Sequence, residues 1–309
     1  MHLGPFPLER LQRQSTIDFT GLPPFTPVSF RRPDDPASIV NAMQDYQAML
    51  DATRDGMVKR EMAEIPEDLQ ERANHLKAFG YYCDASMVGV CAIPAEAWLN
   101  APVANPDVDR LADKLRTMQP KTLAAGIDVI MAGLRESMAL PPVDCHHHTH
   151  ALVFLYDHPR DVRTDEPGAD WIRDALPQRA CLRGMETAVT LASYIRTLGH
   201  DARAHSMAAS DVHLGALAAQ AGLVALENGV LVNPFTGDRY GLAAVTTTLD
   251  MTPDQPIVPS QRVPASYRNG LGAHAKSARN RDPFAARNFA DGPHPFETLK
   301  RVDGPTTYI

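Results

Sequence analysis

At 309 residues, 44% hydrophobic and 22% charged, the chain has the length and balance of one large folded domain or two ordinary ones. Its formal charge is −7, and no basic run exceeds two or three residues, so a nucleic-acid duplex finds no electrostatic footprint. No apolar run reaches the roughly eighteen residues of a membrane-spanning helix.

Arg31-Arg32 leads into Pro33-Asp34-Asp35-Pro36 rather than the apolar stretch of an export signal, so the chain reads as cytoplasmic. Cys83, Cys91, Cys145 and Cys181 are too few and too scattered for a disulfide framework. They read as reduced, mostly buried thiols.

Residues 1–36 are proline-rich and aperiodic, an extended arm. Ile39, Met43 and Met49-Leu50 begin a helical pattern that fades near Glu64-Ile65-Pro66. A second helix is expected from Glu67 to about Ala78, with Leu69, Ala73 and Leu76 on one stripe and Gly80 as its stop. MVGVCAI (87–93) is a strand, closed by Pro94. Helices over about 107–118 and 122–138 follow. ALVFLYD (151–157) has no polar interruption, the pattern of a strand covered on both faces. In CLRGMETAVTLASYIRTLG (181–199), Met185, Val189, Ala192 and Ile195 form an apolar stripe and Gly199 ends the helix. DARAHSM (201–207) reads as a strand, and Ser210-Asp211 as the cap of a helix running to Gly222. GVLVN (229–233) is expected to pair with RYGLAAVTTTL (239–249) as a hairpin around PFTGD. After Met251 the apolar period is lost.

This order of elements predicts an α/β (α+β) fold, a mixed sheet with helices on its faces. Residues 1–64 would be the arm and first helix, 65–250 the module, and 251–309 an irregular tail or linker. There is no phosphate loop, no GxGxxG fingerprint after a strand and no GxSxG elbow. The sharpest local feature is CHHHTHALVF (145–154); His200, His205 and His213 read as surface or capping residues. In extended backbone His146, His148 and His150 would share a face, a plausible divalent-metal site that Cys145, Asp144 or Asp157 could complete. The alternative is a hydrogen-bonded, empty histidine cluster at the mouth of the sheet.

The run METAVTLASYIRTLGHDARAHSM (185–207), DVHLGALAAQAGL (211–223) and NGVLVNPFTGDRYGLAAVTTTLDM (228–251) resembles the cobalamin-binding module of reductive dehalogenases and epoxyqueuosine reductase. That module is related to nitroreductase folds. The resemblance implies a catabolic, cytoplasmic, cobalamin-type system. Such a system would reductively remove halide from an organohalide, a halogenated phenolic acid, with cobalamin and two [4Fe–4S] clusters. Gly222, Leu223, Asn228, Gly229 and Asn233 would be the residues facing the corrin. Two departures qualify this. The turn GLVALENG (222–229) is one residue shorter than the family's GLGELGRNG form and lacks two internal glycines. No cysteine follows Leu249, where the family carries its cluster motifs. The chain is therefore expected to be a degenerate N-terminal copy without iron–sulfur clusters, itself structural and binding no cobalamin. Its partner would be a catalytic C-terminal module or subunit, with a homodimer as a further possibility. ETLKRVDGPTTYI (297–309) resembles the connector into that second copy. The competing expectations are a stand-alone corrinoid- or flavin-binding protein, or a metal-dependent hydrolase built on His146, His148 and His150.

Overall fold

The computed structural model describes residues 4–28, 34–35, 38–117, 144–158, 163–172, 175–261 and 263. Residues 1–262 form one compact unit, and 263–309 a second that lies outside the described residues except for Val263. The expected helix over 122–138 also falls outside them.

Among the described residues the elements are α1 (Ile39–Ala52), α2 (Leu69–Tyr82), β1 (Met87–Ala92), β2 (Trp98–Val103), α3 (Pro106–Thr117), β3 (His150–Asp157), α4 (Ala169–Ile172), α5 (Leu176–Thr197), β4 (Ala202–Ser206), β5 (Ser210–Val212), α6 (Leu214–Gln220), β6 (Ala225–Glu227), β7 (Val230–Val232) and β8 (Tyr240–Thr247). The main sheet has the order β1-β3-β8-β4.

The period-two alternation of β3 sorts its side chains onto two faces. Leu152, Phe154 and Tyr156 join the core under α2 and α5, with Met185, Leu191 and Ile195. Ala151, Val153 and Leu155 join a second core under α6, with Leu214, Leu217 and Leu223. The arm covers that second core through Phe6, Leu8, Ile17, Phe19, Leu22 and Phe25. Helices on both faces of one sheet are the expected α/β layering.

The pairing within the sheet differs from a mixed one. β3 and β4, joined through α5, do run the same way, as a strand–helix–strand unit requires. β8 then inserts between them and pairs antiparallel with both, and β1 pairs antiparallel with β3. This insertion also overturns the expected hairpin of 229–233 with 239–249. β7 pairs instead with β6, Ala225↔Val232 and Glu227↔Val230. The two-residue turn Asn228-Gly229 supplies positive φ at both positions (51° and 79°), the requirement of the primed turns that match strand twist. Asn233 then closes PFTG as a separate turn, its Oδ1 accepting from the Phe235 and Thr236 N–H groups.

Two helix ends also move. α2 runs through Gly80 to Tyr82, and a Cβ at Gly80 would lie 2.8 Å from the Phe154 and Val88 side chains. Glycine there serves the close approach of helix to sheet. Ser210 and Asp211 lie in β5, and the cap of α6 is His213, whose Nδ1 accepts from the Ala216 N–H. Residues 251–261 carry no regular element but return across the unit, burying Met251 and Ile257. No described helix is long and apolar enough to cross a membrane.

Candidate functional site

α6 ends at Gln220 with Ala221 as its C-cap, and Gly222 turns the chain with φ 67°. The Gly222 and Leu223 N–H groups bond back to Ala219 and Ala218 carbonyls, satisfying the helix end. Leu223, Val224 and Ala225 then enter the core beneath the sheet.

Asn233 fastens this turn from inside. Its Nδ2 donates to the Leu223 carbonyl at 2.7 Å while its Oδ1 holds the next turn, so both ends of the amide are used within the chain. The outer side of Gly222 is covered as well. Arg13 Nη1 donates to the Gly222 carbonyl (3.0 Å) and to the Gln255 carbonyl (2.7 Å). A Cβ built on Gly222 would lie 1.9 Å from Arg13 Nη1 and 2.3 Å from the Gln255 oxygen. Glycine here admits the chain's own arm and returning segment. Asn228 and Gly229 sit at the tip of the β6–β7 hairpin, away from Gly222 in sequence and occupied as turn residues.

Beside this turn lies a cavity of about 370 Å³, bounded by Arg13, Lys77, Tyr81, Ala221 and Asp254 among others. Two of its charges are paired with each other: Lys77 Nζ meets Asp254 Oδ1 at 2.6 Å, and the Val90 N–H donates to Asp254 Oδ2. That volume is at the lower end for a small-molecule pocket. The residues present do not fit a corrin. Its approach would need bare backbone at the turn, whereas the turn's glycine faces Arg13 and the residues after it are core.

The histidine cluster is arranged differently from the extended reading. His146 and His147 stand in a turn, with the His148 N–H bonding the Cys145 carbonyl, so the two-residue period does not apply before His150. His146 Nδ1 pairs with Asp144, and its ring stacks on Trp98 with centroids 4.6 Å apart. His150 Nδ1 lies 2.9 Å from the Thr149 hydroxyl. The structure thus does not bring His146, His148 and His150 together, and Asp157 is at the far end of β3, bonded to Ser86.

What it does bring together are His147, His148 and Asp201. Asp201 Oδ2 is 2.8 Å from His147 Nε2 and 3.3 Å from His148 Nε2. The facing ring of His148 is the main cause holding the Asp201 carboxyl down at about 2, with His147 adding to it and partial burial opposing. Behind them runs a buried chain of polar groups. His148 Nδ1 lies 2.7 Å from Thr246 Oγ1, which lies 2.8 Å from His205 Nε2. His205 Nδ1 faces Asp211, and Asp211 is paired with Arg54 at 2.8 Å and Arg203 at 3.3 Å. Burial, then the charges of Arg54, Arg203 and His148, hold the His205 imidazole well below its ordinary value, and so neutral.

Sequence reasoning missed Asp201, Thr246, His205 and Asp211. The only signal that could have found them is the strand order, which sets the starts of β3 and β4 on either side of the end of β8. The cysteines stand apart in separate elements, Cys91 in β1, Cys181 in α5 and Cys145 in the loop before β3.

No protein-family profile and no curated protein matches this sequence. Among solved structures, the catabolic reductive dehalogenase NpRdhA is similar at 29% identity and TM-score 0.65, over 99% of this chain and 37% of that one. A structure described as suggesting a mechanism for B12-dependent dehalogenation matches with the same values, as does NpRdhA in complex with 3-bromo-4-hydroxybenzoic acid. Epoxyqueuosine reductase of Streptococcus thermophilus aligns over 60% of this chain at 14% identity and TM-score 0.33. The chain spans little more than a third of the length of the dehalogenases it matches. Over nearly all of its own length it is similar to part of a catabolic reductive dehalogenase.

Proposed function

We propose that this chain is the N-terminal, non-catalytic module of a cytoplasmic reductive dehalogenase system. In the complete system, cobalamin and two [4Fe–4S] clusters on a C-terminal module or subunit would remove halide reductively from an organohalide, of which a halogenated phenolic acid is the favoured class. The similarity to a B12-dependent dehalogenase over 99% of this chain supports the family of chemistry. The observation that carries the non-catalytic role is the closed glycine turn. Arg13 and Gln255 lie against Gly222, and Leu223 and Val224 are core residues. A single misplaced side chain in a close-packed wall costs on the order of 1–3 kcal/mol. Several such conflicts consume most of a micromolar affinity, which is about 8 kcal/mol in all. The chain would then contribute scaffold and a contact face to its catalytic partner.

Titration of the full chain with hydroxocobalamin, followed by gel filtration and a visible spectrum, is expected to give a colourless protein peak. With a strong reductant and a bromophenol, bromide release is expected to equal the protein-free control. A peak carrying one corrin per chain would overturn the proposal and make the chain a cobalamin-binding protein. A flavin spectrum in the purified protein would do so in favour of a flavin site.

A further inference from the structure

The geometry points to a divalent transition-metal site, for Zn²⁺ or an ion of similar preference, formed by His147 Nε2, His148 Nε2 and the Asp201 carboxylate. It does not rest on the dehalogenase reading, because none of its residues belongs to the glycine turn.

Zinc binds imidazole nitrogen and carboxylate oxygen at about 2.0–2.2 Å, so neighbouring ligand atoms of a tetrahedral site lie about 3.4 Å apart. Here the Asp201 oxygen is already 2.8 Å from one imidazole nitrogen and 3.3 Å from the other, and all three ligand atoms lie within 4.8 Å of one another. The second observation is His148 itself. Its side chain is 1% exposed, and its Nε2 makes no well-aligned hydrogen bond among the described residues, its polar neighbour being Asp201 Oδ2 at 3.3 Å, itself a ligand atom of the proposed site.

The ligands are held by different loops that meet on one strand. The Thr149 N–H bonds the Thr247 carbonyl, fixing the loop of His147 and His148. The Asp201 N–H donates to Thr248 Oγ1, the Thr248 N–H donates to the Asp201 carbonyl, and Thr247 Oγ1 donates to the same carbonyl. The end of β8 therefore sets the separation of the two ligand loops.

The buried chain behind His148 engages its other ring nitrogen. A metal-ligating histidine donates its other ring N–H to an acceptor that orients it. The Asp211 N–H donates to His205 Nδ1 at 3.3 Å, so His205 Nε2–H donates to Thr246 Oγ1 and Thr246 Oγ1–H to His148 Nδ1. The reverse order keeps the same three protons and leaves His148 Nε2 bare for an ion, with His148 Nδ1–H on Thr246 Oγ1 and His205 Nδ1–H turned to Asp211 Oδ2 at 3.5 Å. The threonine hydroxyl, donor and acceptor at once, lets the chain serve either arrangement. His147 is half exposed, so further coordination positions face water.

The test uses untagged full-length protein stripped with a chelator and then titrated with ZnCl₂ by calorimetry and with CoCl₂ by visible absorption. One saturable ion per chain is expected. His147→Ala and Asp201→Asn, both at partly exposed positions, should abolish it with the circular dichroism unchanged. Thr246→Val should weaken it about 10- to 100-fold, the usual effect of losing an orienting partner. His146→Ala should leave it intact. Absence of saturable binding overturns the site, as does binding that survives both His147→Ala and Asp201→Asn, or binding that depends on His146.

Discussion

Gly222 shows how one residue decides between a cofactor cradle and a closed turn. Glycine at such a position reads in sequence as backbone left bare for a ligand. In the folded chain the space beside it is taken by Arg13 and by the Gln255 carbonyl. Gly222→Ala must accommodate a Cβ at φ 67° and 2.3 Å from a backbone oxygen that cannot rotate away. The expected cost is about 2–4 kcal/mol, from left-handed strain together with the overlap. Arg13→Ala in the same chain should recover little of it, since the Gln255 contact remains. Urea unfolding monitored by circular dichroism checks this, and a loss below about 0.5 kcal/mol for Gly222→Ala would contradict the packing described. The histidines carry a matching lesson. The even spacing of His146, His148 and His150 was legible, but a period of two applies only to extended backbone, and the chain turns at His146-His147. The ligand set that does converge joins residues 54 positions apart. Sequence spacing cannot express that proximity without the strand order.

At the scale of elements, helices and strands were legible where one periodicity held throughout. α5 and β3 are both seen in the apolar pattern of their residues, and β1 is closed by Pro94 as expected. What failed was pairing. Two neighbouring apolar runs around PFTGD look like a hairpin, yet the second is buried on both faces and belongs between β3 and β4. Burial on both faces outweighs nearness along the chain. The short β6–β7 hairpin depends instead on its turn. Gly229 sits at φ 79°, and its missing Cβ would meet only the Gly21 carbonyl at 3.5 Å. Gly229→Ala therefore tests conformation almost free of packing, and the expected cost is about 1 kcal/mol. Asn228→Gly, which keeps left-handed backbone accessible, should change stability by less than about 0.5 kcal/mol. If both substitutions cost the same in a thermal melt, the primed turn does not determine this hairpin.

For the whole molecule, the question is what completes the second core. The helix on this face of the sheet, α6, has only seven residues. The arm makes up the difference, laying Phe6, Leu8, Ile17, Phe19, Leu22 and Phe25 against that core. It is also bonded in place along its length. Gln14 N–H donates to the Pro256 carbonyl, Val258 N–H to the Gln12 carbonyl, and Val28 N–H to the Met207 carbonyl. His213 Nε2 reaches the Pro23 carbonyl at 2.8 Å, so the residue that caps α6 also anchors the arm. Full burial of a large apolar side chain contributes about 1.5–3 kcal/mol, and these six are partly buried. Ordering the arm offsets much of that gain through lost chain entropy. A net loss of about 3–6 kcal/mol on deleting residues 1–28 is thus expected, a large share of the roughly 5–15 kcal/mol that holds a domain folded. The truncated protein should unfold at lower urea and bind a hydrophobic dye at the face of α6 that the arm had covered. An unchanged midpoint without dye binding would show that the second core closes without the arm. The arm's prolines would then only space it across a surface that is already complete.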